Sequence, residues 1–145
     1  YFFHGGFGAG TIQRIAWLGG RVAQVCSLSD MEYSAMGTPL FVSSQGALLV
    51  AVKKQLRAID LKTGTSRVLV ESPLTLRAVA ADGDRIALLM GEDDDDWWFA
   101  VAPRVGGKLE KLASFSRAPY HRHRLIIARD HAITISGDRL IATRL

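Results

Sequence analysis

Glycine turns recur along this chain at nearly constant spacing, and that periodicity constrains the fold more than any other feature. Gly19-Gly20, Thr63-Gly64 and Gly106-Gly107 are each followed, five positions after the last glycine, by an apolar residue: Val25, Leu69 and Leu112. Successive copies lie 44 and 43 residues apart. Upstream the match continues, with Ile15, Ile59 and Ala102 five residues before that glycine and Ile12, Leu56 and Phe99 eight before it. Each turn therefore joins two strands, and glycine is needed because tight hairpin turns use positive φ, which a residue without a side chain adopts at little cost.

A second turn alternates with the first: Ser44-Gln45-Gly46, Asp82-Gly83-Asp84 and Ser136-Gly137-Asp138. The residues that follow, Ala47 to Val50, Arg85 to Leu88 and Arg139 to Ala142, are nearly continuous apolar runs of the kind expected for strands covered on both faces. With the four strands of a unit named A to D, the chain reads B-C-D, then A-B-C-D twice, then A-B, thirteen strands in all. Four short antiparallel strands in about 43–44 residues is the pattern of a β-propeller blade, whose sheet buries both faces only by stacking on its neighbours. The reading is all-β: a β-propeller segment of about three and a quarter blades over 1–145, with units at about 1–30, 38–73, 74–116 and 125–145. Leu76 to Ala81 and Ala132 to Ile135 are small-residue strands suited to a crowded axis, while Pro39 and Pro73 fall between units, where a missing amide does no harm. The Gly83–Gly137 spacing is 54 residues, longer than the repeat, so about 115–131 reads as an insertion.

Tyr1-Phe2-Phe3, Gly10 to Ile15 with Gly19-Gly20, and Gly106-Gly107 through Leu112-Ala113-Ser114 resemble the tandem repeats of secreted bacterial propellers of the TolB-like and NHL-like kind. Ala58-Ile59-Asp60-Leu61-Lys62-Thr63-Gly64 resembles the hairpin of pyrroloquinoline-quinone-type propeller repeats. That repeat has a tryptophan four residues after its glycine, where this chain has Val68. The resemblance therefore implies the fold and an extracytoplasmic location (periplasmic, cell-surface or secreted) in a bacterium, and no cofactor is expected.

A closed propeller takes about four to eight blades, so three and a quarter call for further blades of the same propeller, from the same chain, a partner or a second copy. The chain begins at Tyr1 instead of Met, consistent with a removed leader or an excerpt. Its longest strictly apolar stretch, Ala47 to Val52, is too short to span a membrane and reads as a buried strand. Cys26 is the single cysteine, so no disulfide can form within the chain. The net charge of +4 is uneven: residues 117–145 carry six arginines against Asp130 and Asp138, while the remainder is balanced.

Two segments carry candidate chemistry. Glu92-Asp93-Asp94-Asp95-Asp96 lies between strands B and C and runs into Trp97-Trp98. Calcium loops space their acids with a glycine for the bend, and none interrupts this run, so a solvated acidic tip is favoured. The two tryptophans alternate across a strand, one entering the core between blades and the other less buried; Trp97 is kept as a contact candidate beside the packing role. In the insertion stands Ser116-Arg117-Ala118-Pro119-Tyr120-His121-Arg122-His123-Arg124. Insertions in repeat scaffolds map to loops, where function concentrates. Arg122 and Arg124, with Arg117 and Arg129, form a basic patch suited to phosphate, anionic lipid or an acidic protein surface, with Tyr120 as the aromatic beside it. Tyr120 is the only aromatic among them, which argues against single-stranded nucleic acid. His121 and His123, with His131, are the weak candidates for a metal, and a bare His-x-His favours none. Gly5 to Gly10 lacks a following helix and a Lys-Ser/Thr pair, so it reads as a flexible B–C loop and not a phosphate loop.

No nucleophile stands in a recognisable catalytic setting. The sequence thus points to a non-catalytic propeller scaffold mediating protein–protein contact. The alternative is an enzyme or ligand-binding propeller with its site at the axial mouth, completed by blades not in this chain.

Overall fold

The computed structural model describes residues 2–6, 9–14, 23–28, 40–44, 46–92, 96–115, 125–136 and 139–145. These are all-β, with no helix among the described residues and fourteen strands in four antiparallel sheets. The first sheet holds β1 (Phe2–Gly6), β2 (Ala9–Arg14) and β3 (Ala23–Leu28). In the second are β4 (Leu40–Ser44), β5 (Ala47–Val52), β6 (Gln55–Asp60) and β7 (Ser66–Glu71). The third contains β8 (Leu76–Asp82), β9 (Arg85–Glu92), β10 (Asp96–Pro103) and β11 (Glu110–Phe115), and the fourth β12 (Leu125–Ala128), β13 (His131–Ser136) and β14 (Arg139–Arg144). In every sheet, strands adjacent in sequence are adjacent in space. No helix is long and apolar enough to cross a membrane among the described residues.

The glycine spacing has a structural counterpart. In β2–β3 the register slips so that Ile12 faces Cys26 and Gln13 faces Gln24, leaving Val25 as the extra residue of a bulge. In β6–β7, Leu56 faces Val70 and Arg57 faces Val68, leaving Leu69 extra. In β10–β11, Phe99 faces Ala113 and Ala100 faces Lys111, leaving Leu112 extra. The apolar residue five positions past each glycine is thus the bulged one. A bulge puts two residues opposite one and bends the strand, which explains why an apolar side chain recurs at a position that simple alternation would not select. Leu69 uses it to enter the core between the second and third sheets.

Apolar runs lie where both faces of a sheet are covered. Leu49 and Ala51 of β5, with Leu56 of β6, meet Ile86, Leu88 and Met90 of β9. Leu48, Val50 and Ile59, alternating with them, are also buried. On the other face of the third sheet, Ala87, Leu89, Trp97 and Phe99 meet Leu125 and Ala132 of the fourth. Each large aliphatic or aromatic side chain removed from water here contributes about 1.5–3 kcal/mol before chain entropy is subtracted. The sheets follow one another with first strand near first strand: β4 lies against β8, and β8 against β12. Ala78 and Ala80 of β8 are small where β12 approaches.

Two sequence expectations are corrected. Leu125–Ala128 is a strand inside the stretch read as an insertion, so β12 opens the fourth sheet and β13, expected as its first strand, is the central one. The turn that reveals it, Arg129-Asp130, has no glycine; Arg129 itself adopts φ 57°, where the corresponding β8–β9 turn uses Gly83 at φ 53°. The glycine-rich stretch near the start is also not a long loop, because Gly5 pairs with Gly10 and Gly6 with Ala9 in the β1–β2 ladder. Backbone hydrogen bonding needs no side chains, and closing the hairpin satisfies these groups.

Candidate functional site

At one end of the stack, a polar network ties the second sheet to the third. The β5–β6 turn is Lys53-Lys54, with Lys53 at φ 49°. Its carbonyls accept the amides of the β7–β8 link, Ser72 on Lys54 at 2.7 Å and Leu76 on Lys53 at 2.6 Å. Lys54 Nζ donates to the Pro73 carbonyl at 3.0 Å and reaches Glu92 Oε1 at 2.7 Å. The Thr75 hydroxyl donates to the same carboxylate oxygen at 3.3 Å. The hydrogen bond from Lys54 is the main reason that the Glu92 carboxyl lies below the usual glutamate range, with the lysine's charge and Thr75 adding to it against a desolvation cost. The Ser72 hydroxyl donates to Leu74 O at 2.6 Å, which satisfies one of the few buried polar side chains.

The two ends of the acidic run, Glu92 and Asp96, lie at this end. Glu92 closes β9 and Asp96 opens β10, and the two face each other in the ladder. Arg77, the extra residue of a bulge in β8, donates from Nε to Gly91 O at 3.0 Å and lies over Trp97, its guanidinium carbon 5.8 Å from the ring centroid. Residues 93–95 lie outside the described residues.

Trp97 faces Phe115 in the β10–β11 pairing. Chain direction therefore brings the end of β11, from which the 116–124 connection departs, to the same end as Glu92. Arg117, Tyr120, His121, Arg122, His123 and Arg124 lie outside the described residues, so only the departure point of their segment is placed. Trp97 is placed: it is 3% exposed, enclosed between the third and fourth sheets. This corrects its candidacy as a contact residue, since a ring surrounded by Phe99, Leu125 and Ala132 presents no face to a partner. Trp98 points to the opposite face, half-buried, with Lys111 Nζ 3.9 Å from its ring centroid. Its buried indole N–H has no acceptor among the described residues. His131, the suggested third metal ligand, instead holds Asp130 Oδ1 at 2.7 Å from Nδ1, and Arg144 Nε approaches Asp130 Oδ2 at 3.4 Å.

At the opposite end of the second sheet, Gly46, Ala58, Asp60, Thr65 and Arg67 line a cleft of about 280 Å³. Its charged groups are engaged in building the turns. Asp60 Oδ1 accepts the amides of Lys62 at 2.7 Å and Thr63 at 2.8 Å. Those bonds, Thr63's first, hold the Asp60 carboxyl below its ordinary range. Arg67 donates from Nη1 to Val105 O at 3.2 Å. Asp60 is the acid of the Ala-Ile-Asp-Leu-Lys-Thr-Gly string, and its role here is that of an Asx turn. Among the described residues no three of His, Cys, Asp and Glu come close enough to hold a metal ion.

The Lys54–Glu92–Thr75 network was not legible in the sequence as a site. Its only signal was the basic pair in the β5–β6 turn, and nothing local links that pair to a residue 38 positions further on. Compared with known proteins, the chain matches no family model and no curated protein.

Proposed function

We propose that this chain forms consecutive blades of a β-propeller and acts as a non-catalytic scaffold for protein–protein contact in an extracytoplasmic setting. The observation that carries the architectural part is the succession of first strands, β4 against β8 and β8 against β12. Stacking in that order is what a ring of blades requires, because a twisted four-stranded sheet buries its two faces against its neighbours and crowds its first strands toward an axis. The bulges at Val25, Leu69 and Leu112 support the equivalence of the sheets to which they belong.

The contact part rests on charge. All of the net positive charge lies in residues 117–145, and the connection that carries Arg117, Tyr120, Arg122 and Arg124 departs beside the acidic end of the third sheet. An aromatic anchor flanked by arginines is the residue set that interfaces favour.

Pull-down with the purified chain as bait, with mass spectrometry of the captured proteins, tests this reading. Arg122→Glu with Arg124→Glu is expected to abolish capture of a partner while circular dichroism stays unchanged, and a chelator is expected to have no effect. Loss of capture on chelation and in His121→Ala with His123→Ala, with the arginine variant still active, would replace the arginine contact by a metal-dependent one. Indifference to all of these changes would remove the segment as a contact site.

A further inference from the structure

The cleft of about 280 Å³ on the second sheet is the open end of the junction between second and third sheets. Ala58 on its floor belongs to the core shared by those sheets, and Arg67 on its wall reaches the β10–β11 hairpin at Val105 O. Its volume is at the small end of the range for ligand clefts, about 300–1,000 Å³.

Small residues make the room. Ala47 faces Asp60 across β5–β6, and Ala58 faces Arg67 across β6–β7. When the sheets are aligned on Gly64 and Gly107, the same two pairs in the third sheet are Arg85 with Pro103 and Val101 with Glu110. Val101 is buried. The second sheet thus has alanine at both positions where the third has a larger side chain.

Building the turns takes only part of each charged group. Asp60 gives Oδ1 to the Lys62 and Thr63 amides, which leaves Oδ2 without a partner among the described residues. Arg67 gives Nη1 to Val105 O, which leaves the Nε–Nη2 edge without one. That edge is a planar pair of donors matched to a carboxylate. The acid and the base do not pair with each other. Arg67 sits opposite Ala58, two residues before Asp60 on β6, so their Cβ atoms are diagonal neighbours about 7–8 Å apart.

We propose that this cleft binds a small zwitterion of the α-amino-acid class, its ammonium on Asp60 Oδ2 and its carboxylate on the Nε–Nη2 edge of Arg67. Two opposite charges that face one cleft without neutralising each other are both satisfied by a ligand that carries both signs. The alanine floor selects a small side chain, and the Ser66 hydroxyl adds a polar contact at the rim. The cleft lies at the other end of the sheets from the 116–124 connection, so this proposal goes beyond the contact reading of that segment.

Amide chemical-shift titration of the 145-residue chain with L-alanine tests the proposal. Saturable shifts are expected at Lys62, Thr63 and Ser66, with a midpoint of about 1 mM. Alanine methyl ester, which lacks the carboxylate, and propionate, which lacks the ammonium, should each bind at least about tenfold more weakly. Asp60→Asn keeps an oxygen for the turn amides and removes the charge; it should weaken L-alanine binding by a similar factor with an unchanged circular dichroism spectrum. Ala58→Val, which introduces the third sheet's residue, should do the same by filling the floor. Shifts that never saturate overturn the proposal, and so does binding that survives both substitutions in folded protein. Glycerol moving the same amides at the same concentration would show a polyol site and overturn the zwitterion assignment.

Discussion

The amide of Gly107 donates to the carbonyl oxygen of Leu69 at 3.2 Å, so the hairpin that closes the third sheet is hydrogen-bonded to the outer strand of the second. Leu69 is the bulged residue of β7, unpaired in the β6–β7 ladder. One irregularity thus turns a side chain into the core while the same residue's carbonyl receives the neighbouring sheet. Arg67 adds a second tie, to Val105 O.

Gly106 makes that approach possible, and its replacement should be costly. It has φ +97°, and a Cβ there would stand 2.8 Å from Leu69 O, a backbone atom that cannot rotate away. Gly106→Ala is expected to destabilise by about 2–3 kcal/mol, from left-handed strain and the clash together. Gly46→Ala has φ +81° but nothing within 4 Å, and should cost only about 1 kcal/mol. Urea unfolding midpoints at constant m-value measure both; equal losses would mean that the Gly106 hairpin does not press on β7.

Phe99 is fully buried between the third and fourth sheets. Phe99→Ala should cost about 3–5 kcal/mol, the transfer free energy plus the cavity left behind. Denaturant titration followed by circular dichroism reads the loss directly.

Arg129 takes a positive φ of 57° without being glycine. The left-handed conformation costs a residue with a side chain about 1–2 kcal/mol, and glycine gives back about 0.5–1 kcal/mol through its freer unfolded chain. Arg129→Gly should therefore raise stability by about 0.5 kcal/mol, visible as a higher thermal midpoint. A lower midpoint would show that the β12–β13 turn is not built this way.

Acid should weaken the strap between the second and third sheets. Glu92, held by Lys54, has a folded pKa below its unfolded one, so the unfolded chain binds the proton more readily. Its contribution is present above the unfolded pKa and is lost as pH falls through the folded one. Asp60, held first by the Thr63 amide, and Asp130, held first by its own backbone and then by His131, act in the same direction. Lys54 and Glu92 are 52% and 42% exposed, so their pair contributes under about 1 kcal/mol and weakens in salt. Stability measured against pH should fall on the acid side of the carboxylate range, and Glu92→Gln should flatten part of that decline. An acid limb identical in the variant would show that the pair carries none of it.

The sequence by itself determined what is local. Glycine positions with an apolar residue five places on marked the β2–β3, β6–β7 and β10–β11 hairpins, because turn conformation and strand alternation are properties of a few adjacent residues. The same alternation placed Trp97 and Trp98 on opposite faces, one in the core between sheets. Strand β12 escaped that reading, since Arg129 occupies a turn position where local preference calls for glycine and the pairing with β13 overrides it. The Gly5–Gly10 ladder escaped as well: glycine's freedom suggests a loop until a partner strand supplies hydrogen bonds. Only the tertiary structure decided the meeting of Gly107 with Leu69, Lys54 with Glu92, and β12 with β8, because each joins residues tens of positions apart that come together only when sheets stack to remove their apolar faces from water.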